Sequence, residues 1–265
     1  MLLRSGLLAC LLLLAPVAHA VCPPRTLTPP EKVALRGDAA LIVTHAASND
    51  DARAATKIGL DAAIALARNQ RIPRVYLQDD RPEEAYFMDD CQPDYWVHSN
   101  GGELSFPVNV PHVLITGGHL EECLQHTLHD ILLSWARRPA EDHSMTLFMD
   151  AIFSNGKLIE EEDPYYNDFV RFLGIVSYGR PGGEHYPKLT LLETMGVILQ
   201  PALQHEFLKR TLPKYARTLG SGYRVVLAVN NEREYVLQPG SGWRPPVMRF
   251  HFVDSAIPGL NQDPD

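Results

Sequence analysis

The fold is decided by residues 110–135, VPHVLITGGHLEECLQHTLHDILLSW. The apolar, β-branched run from His112 to Thr116 predicts a buried strand, and Gly117 and Gly118 predict a tight turn after it. Apolar residues then recur at helical spacing, namely Leu120, Leu124, Leu128, Ile131, Leu132 and Trp135. The stretch therefore predicts a strand, a glycine turn and a helix whose first turns contain Cys123.

Cys123 stands where a thiol is readily activated. A helix N-terminus carries about half a positive charge, which favours a thiolate and lowers the pKa of a thiol from about 8.5. Such a thiolate attacks an amide or ester carbon, and we expect backbone N–H groups of Gly118, His119 and Glu122 to bind the oxyanion. The competing interpretation is a structural cysteine or one half of a disulfide.

Two histidines are the candidate general bases for this thiol. His45 and His98 each lie at or near the end of a predicted strand, and a histidine accepts a thiol proton near neutral pH. The alternative for each is a hydrogen-bonded loop residue. His126 and His129 share a helix face but lack an evident third ligand, so we interpret them as solvated and predict neither a metal nor a cofactor.

Strands and helices alternate along the chain on both sides of this segment. Strands are predicted at 39–45, 74–77, 95–98, 112–116, 145–153, 223–229, 234–237 and 248–253, with helices at 51–69, 165–173 and 191–219. This order indicates an α/β fold, with a mainly parallel sheet flanked by helices in a Rossmann-like, three-layer arrangement. Ligands of such folds bind beyond the carboxyl ends of the strands.

The chain divides into four segments. Residues 1–20 have Arg4, an apolar core and Ala18-His19-Ala20, which predicts a secretory signal and a mature chain that begins at Val21. An alternative lipoprotein signal would end at Cys10. A Pro-rich leader follows at 21–37, then the α/β domain at 38–195 and a helical and β-hairpin extension at 196–265.

Three cysteines remain after cleavage, and the pairing among them is open. The predicted location is periplasmic or secreted, where disulfides persist. If Cys22 pairs with Cys91, Cys123 stays free, as a nucleophile requires. If Cys91 pairs with Cys123, the thiol is lost and the cysteine only links two segments.

The charge of the chain excludes some partners. Removal of the signal takes away Arg4 and no carboxylate, so the formal net charge changes from −8 to −9. Nucleic-acid and anionic-membrane binders usually need a basic surface, so neither class is expected. No segment of the mature chain has the ~18 apolar residues of a membrane span. The expected partners are a small-molecule ligand in the sheet crevice and a protein at the extension, residues 223–253. The oligomeric state is left open.

The cysteine segment resembles the nucleophile segment of the isochorismatase-like cysteine hydrolases, which include nicotinamidases. The matching positions are Gly117, Thr127 and Asp130 around Cys123, and a later strand ends in Asp150-Ala151 as in that family. The resemblance spans about residues 38–155 and implies a cysteine hydrolase of a small amide or ester.

Two departures from this family stand out. Its catalytic aspartate ends the first strand, where this chain has Thr44-His45. Its lysine precedes the cysteine strand, yet residues 74–122 contain no lysine, and His98 is nearest the expected place. The chain is thus either a hydrolase in which His45 and His98 substitute for these groups or a pseudoenzyme, a non-catalytic binding or assembly protein.

A weaker resemblance is to caspase-like peptidases. Residues 49–52, Asn-Asp-Asp-Ala, and residues 150–156, Asp-Ala-Ile-Phe-Ser-Asn-Gly, are similar to two segments of that family. Ile152 occupies the position of the caspase-like cysteine, so this resemblance implies a catalytically dead protein.

Overall fold

A computed structural model describes residues 22, 26–46, 56–79, 88–118, 123–136, 138, 141–152, 224–229, 233–238, 244–253 and 255–257. Its strands and longer helices are β1 (Ala39–Thr44), α1 (Lys57–Asn69), β2 (Arg74–Gln78), β3 (Tyr95–His98), β4 (His112–Gly117), α2 (Cys123–Ala136), β5 (His143–Phe148), β6 (Arg224–Val229), β7 (Arg233–Gln238) and β8 (Val247–Val253). Short 3-10 turns occupy Pro30–Lys32 and Met149–Ala151.

The described strands form one eight-stranded sheet in the order β3-β2-β1-β4-β5-β8-β6-β7. Neighbouring strands are parallel except β6 and β7, which pair antiparallel as a hairpin. The predicted α/β class and mainly parallel sheet are therefore confirmed. The predicted hairpin is present as well, and β8 inserts between β5 and β6, so the C-terminal strands continue the central sheet.

The two helices cover opposite faces of this sheet. Alternate residues of β1 separate into two apolar clusters, with Ile42 beside α2 residues such as Leu128 and Leu41 beside α1 residues such as Leu60. This division explains why β1 is a continuous apolar run, because a parallel strand is buried on both faces.

The order in which successive strands join the sheet reverses between the parallel strands β1 and β4. From β1 the chain passes through α1 to β2 on one side, and from β4 it passes through α2 to β5 on the other. The adjacent strands β1 and β4 thus form a topological switch point, the place where a ligand-binding crevice is expected in an open parallel sheet.

The Pro-rich leader packs along the free edge of β3. The backbone N–H of Thr28 donates to the carbonyl of Trp96 at 2.6 Å, and the Tyr95 hydroxyl donates to the carbonyl of Ala34 at 2.9 Å. Cys22 is bonded to Cys91 in a disulfide. The leader therefore covers an edge strand that would otherwise expose unpaired backbone groups.

One predicted strand boundary is wrong. The prediction extends β5 to Phe153, but the strand ends at Phe148 and the chain turns at Met149–Ala151. The Thr116 hydroxyl donates to the carbonyl of Ala151 at 3.4 Å, and Ile152 is buried in the core. The apolar run continues past the strand because its last residues fill the core. The helices predicted at 165–173 and 191–219, and the caspase-like segment at 49–52, lie outside the described residues.

No helix within the described ranges has both the length and the apolar content that a membrane crossing requires.

Candidate active site

The crevice is built where β1 and β4 end side by side. Thr44 pairs in register with Gly117, the last residue of β4. Gly117 and Gly118 have φ angles of +73° and +76°, which glycine adopts without strain. A Cβ atom on Gly117 would lie 2.6 Å from the carbonyl oxygen of Thr44. The two glycines therefore let the chain leave β4 in contact with the end of β1.

Cys123 is the first residue of α2 and is a partly exposed cysteine that forms no disulfide. The helix covers the sheet with its N-terminus at the carboxyl edge of the strands. Thr127 follows one turn later and contacts Thr44, with 3.0 Å between the two hydroxyl oxygens. Residues four apart share a helix face, so Cys123 lies on the β1 side of α2, about one helical turn nearer the mouth of the crevice.

The disulfide decides between the two cysteine pairings that the sequence leaves open. Cys22 and Cys91 are bonded, with Cα atoms 5.3 Å apart. Cys123 is consequently a thiol in this structure, which is the state that a nucleophile requires.

His45 is held at the end of β1 in a constrained conformation. Its φ angle is +36°, which is uncommon for a residue with a side chain, and only 8% of its surface is exposed. Its Nε2 atom lies 2.7 Å from the carbonyl oxygen of Ser99. A carbonyl only accepts, so Nε2 carries the hydrogen and the neutral ring has its lone pair on Nδ1. This is the tautomer of a base that accepts a proton at Nδ1.

His98 lies elsewhere on the same edge of the sheet. It ends β3, which is separated from β1 by β2, and its side chain is exposed. Two strand spacings place it roughly 10 Å from the end of β1. Of the two candidate bases, His45 is the one at the switch point.

The predicted oxyanion donors are only partly described. The N–H of Gly118 donates to the carbonyl of His45 at 3.2 Å, so this group would have to leave that carbonyl before it could bind an oxyanion. His119 and Glu122 lie outside the described residues. An oxyanion role for all three therefore stays a prediction.

A loop at 99–103 that the sequence analysis missed forms one wall of the crevice. Gly102 has a φ angle of +86°, and a Cβ atom there would lie 2.0 Å from the carbonyl oxygen of Cys123. The Thr127 hydroxyl donates to the carbonyl of Gly102 at 2.6 Å. Ser99 is fully buried, and its hydroxyl has no hydrogen-bond partner in the described part of the chain. The pair Gly101-Gly102 directly after a strand was the available sequence signal for this loop.

Glu103 stabilises the turn of this loop. Its carboxylate accepts the N–H groups of Asn100 at 3.2 Å and Gly101 at 2.7 Å. Partial burial acts to raise the pKa of Glu103, but these hydrogen bonds and the nearby charge of His126 outweigh it and lower the pKa. The carboxylate thus stays ionised and continues to accept these hydrogen bonds within the loop.

Acidic side chains also follow two of the strands. Asp79 is buried directly after β2. Asp150 follows β5 and packs on the first turns of α1, where a Cβ atom on Gly59 would lie 2.5 Å from its Cγ. At the end of β1 itself, where the resembled family has its aspartate, the buried side chain is Thr44.

No metal cluster is found in the described ranges, where no three His, Cys, Asp or Glu side chains are grouped closely enough to hold an ion. His126 is exposed, and the side chain of His129 is not described.

Comparison with known proteins gives matches among solved structures. No protein-family model and no curated protein matches this chain. N-carbamoylsarcosine amidase from Thermoplasma acidophilum is similar at 15% identity, covering 52% of this chain and 93% of that chain with a TM-score of 0.35. MAR1 ribonuclease from Caenorhabditis elegans is similar at 15% identity, covering 62% and 91% with a TM-score of 0.33. YcaC from Pseudomonas aeruginosa is similar at 14% identity, covering 69% and 94% with a TM-score of 0.32.

Proposed function

We propose that the protein is a cysteine-dependent hydrolase of a small amide or ester, with Cys123 as its nucleophile. The observation that carries this proposal is the position of the Cys123 thiol, which is in no disulfide and lies on the first residue of α2, at the switch point between β1 and β4. Ligands of open parallel sheets bind at such a point, and the helix N-terminus favours the thiolate.

The reaction has two steps in this proposal. The Cys123 Sγ atom bonds to the substrate carbonyl carbon, and the bond from that carbon to the leaving nitrogen or oxygen breaks. The proton of the thiol passes to His45 and then to the leaving group. Water then hydrolyses the thioester, which releases the acid and restores the thiol.

His45 is the base in this proposal because of its place and its tautomer. It follows Thr44 at the end of β1, and Thr44 contacts Thr127, one helical turn from Cys123. The Ser99 carbonyl holds its ring by Nε2, which orients the Nδ1 lone pair as the third group of a catalytic triad would. His98 is exposed on β3 and is the alternative base.

The test is the reactivity of the Cys123 thiol. We expect iodoacetamide to label Cys123 in the native chain at pH 7 about ten times faster than free cysteine, because an ordinary thiol is only a few per cent ionised at that pH. Cys123→Ala should keep its fold and lose the label. With p-nitrophenyl acetate as a generic ester, mass spectrometry should locate an acetyl group on Cys123.

Histidine variants identify the base. His45→Ala should slow hydrolysis of the ester by about 100-fold, the lower range for general base catalysis. His112→Ala is the matched control, because His112 is exposed at the opposite edge of the sheet, where its ring hydrogen bonds to Ser144 at 2.8 Å. A loss with His98→Ala and none with His45→Ala would transfer the role to His98. Labelling no faster than free cysteine, with no acetylation, would overturn the hydrolase proposal.

A non-catalytic binding protein is the second candidate function. It is favoured by Thr44, a neutral hydroxyl at the position where the resembled family has its catalytic acid. A Cys123 thiol of ordinary reactivity, in a crevice that still binds a small molecule, would support this candidate. The C-terminal strands would then be the surface for a protein partner.

Export completes the proposal. It is supported by the apolar signal segment at 1–20, which ends in Ala18-His19-Ala20, and by the Cys22–Cys91 disulfide, which an oxidising compartment preserves. The protein acts in the periplasm or outside the cell on this proposal.

A further inference from the structure

Two buried hydroxyls connect three separate parts of the crevice. Thr44 and Thr127 are both fully buried, and their hydroxyl oxygens are 3.0 Å apart. The carbonyl of Gly102 lies 2.6 Å from the Thr127 oxygen and can only accept a hydrogen bond. The proton of Thr127 therefore points to Gly102, and Thr44 donates its own proton to Thr127. The chain of bonds joins β1, α2 and the loop at 99–103.

Gly102, at the end of this chain of hydrogen bonds, packs on the backbone of Cys123. Gly102 packs so closely on the Cys123 carbonyl that even a Cβ atom would overlap it. The Thr127 oxygen itself lies 3.4 Å from the same carbonyl oxygen, a weaker contact. The loop, the hydroxyl pair and the first turn of α2 consequently fix one another.

We propose that Thr127 is a positioning residue whose hydroxyl, held between Thr44 and the Gly102 carbonyl, keeps the first turn of α2 and its Cys123 thiol against the end of β1. This inference rests on the proposed function, because it concerns the placement of the proposed nucleophile. Without the hydroxyl the buried Gly102 carbonyl and the Thr44 hydroxyl both lose a partner, which destabilises the present arrangement of the loop and the helix. The first turn of the helix then loosens, and the thiolate loses part of its stabilisation by the helix terminus.

The experiment measures the pH dependence of Cys123 alkylation in the full chain. Thr127→Val, which keeps the shape of the side chain, should move the midpoint of the alkylation profile up by about one pH unit, roughly a tenfold loss of thiolate below the midpoint. Thr127→Ser keeps the hydroxyl and should retain the wild-type midpoint. Thr44→Val removes only the second hydroxyl and should move the midpoint in the same direction.

Ser134→Ala is the matched control on the same helix. Ser134 also binds a loop backbone, accepting the N–H of Val108 at 3.3 Å, but it lies three turns from Cys123. This variant should lower stability without moving the alkylation midpoint. If Thr127 has only a structural role, Thr127→Val should likewise lower stability without moving the alkylation midpoint.

The outcomes separate this inference from the function on which it rests. A low wild-type midpoint that Thr127→Val leaves unchanged would overturn the positioning role alone. A wild-type midpoint near that of free cysteine would overturn the proposed function first. A shift in Thr127→Val that Thr127→Ser shares would assign the effect to side-chain volume and would also overturn the role of the hydroxyl.

Discussion

Gly102 is the residue at which the crevice tolerates least change. It combines a φ angle of +86° with a contact that leaves no room for a side chain beside the Cys123 carbonyl. Gly37 has nearly the same conformation, with a φ angle of +92°, but nothing lies within 4 Å of the position of its Cβ atom. Comparing substitutions at the two glycines thus separates the free-energy cost of backbone strain from the free-energy cost of steric overlap.

We expect Gly37→Ala to lower the free energy of unfolding by about 1–2 kcal/mol, the strain of a left-handed residue. Gly102→Ala should lose the same amount and about 1–3 kcal/mol more, because its methyl group displaces the Cys123 carbonyl. It should also slow alkylation of Cys123, which Gly37→Ala should not. Urea unfolding and iodoacetamide kinetics measure both effects, and equal behaviour of the two variants would contradict the packing of Gly102 on Cys123.

At the scale of the element, α2 is anchored at its far end by an aromatic contact. The ring of Trp135 stacks on His143, the first residue of β5, with centroids 4.7 Å apart and planes 11° from parallel. The Trp135 Nε1 atom donates to the carbonyl of Val110 at 2.9 Å. The C-terminal end of α2 is therefore fixed to the start of two strands. Cys123 lies at the opposite end of the helix, away from this contact.

The burial of His143 makes the stability of the fold depend on pH. Burial lowers the pKa of His143 below its usual 6.5, and the charge of Arg138 acts in the same direction, although a hydrogen bond to the Arg138 carbonyl opposes them. The unfolded chain therefore takes up this proton before the folded chain does. The free energy of unfolding should fall as the pH drops below about 6.5.

His143→Phe keeps an aromatic ring against Trp135 and removes the titrating group. Its free energy of unfolding should fall less between pH 7.5 and pH 5 than that of the wild-type chain, measured by urea unfolding at each pH. Some dependence should remain, because burial also lowers the pKa of His251. An unchanged slope would show that His143 takes up no proton on unfolding in this range.

At the scale of the whole molecule, the disulfide joins the leader to the segment that leads into β3. Ion pairs hold the same segment on α1 and β2, with Arg74 2.5 Å from Asp90 and Lys57 2.7 Å from Asp89. The bond closes a loop of 69 residues, and a constraint of that length is worth about 4 kcal/mol when it restricts the unfolded chain.

Protein expressed with its signal segment, residues 1–20, and recovered from the exported fraction should begin at Val21 and contain one cysteine outside any disulfide. Reduction in a Cys123→Ser background, which prevents thiol exchange, should lower the free energy of unfolding by about 4 kcal/mol. Peptide mapping and urea unfolding with and without reductant test these statements. An exported chain that still carries residues 1–20 would contradict the predicted signal, and a Cys91–Cys123 linkage would contradict the role of Cys123 as nucleophile.

The amino-acid sequence by itself determined the local elements and their class. The runs at β3 and β4 were predicted to within one residue, because strand patterning and glycine turns are properties of neighbouring residues. The alternation of strands with helices was sufficient to predict a mainly parallel sheet, and the run from His112 to Trp135 placed Cys123 at the start of a helix.

Only the tertiary structure decided how distant residues meet. The Cys22–Cys91 bond, the contact of His45 with Ser99 and the pairing of Thr44 with Thr127 join positions 69, 54 and 83 residues apart. No local period encodes such contacts, since they depend on strand order and on which face each helix covers. The same reason explains why β5 was predicted too long. Ile152 is buried in the core although the strand ends at Phe148, so its apolar side chain does not indicate strand structure.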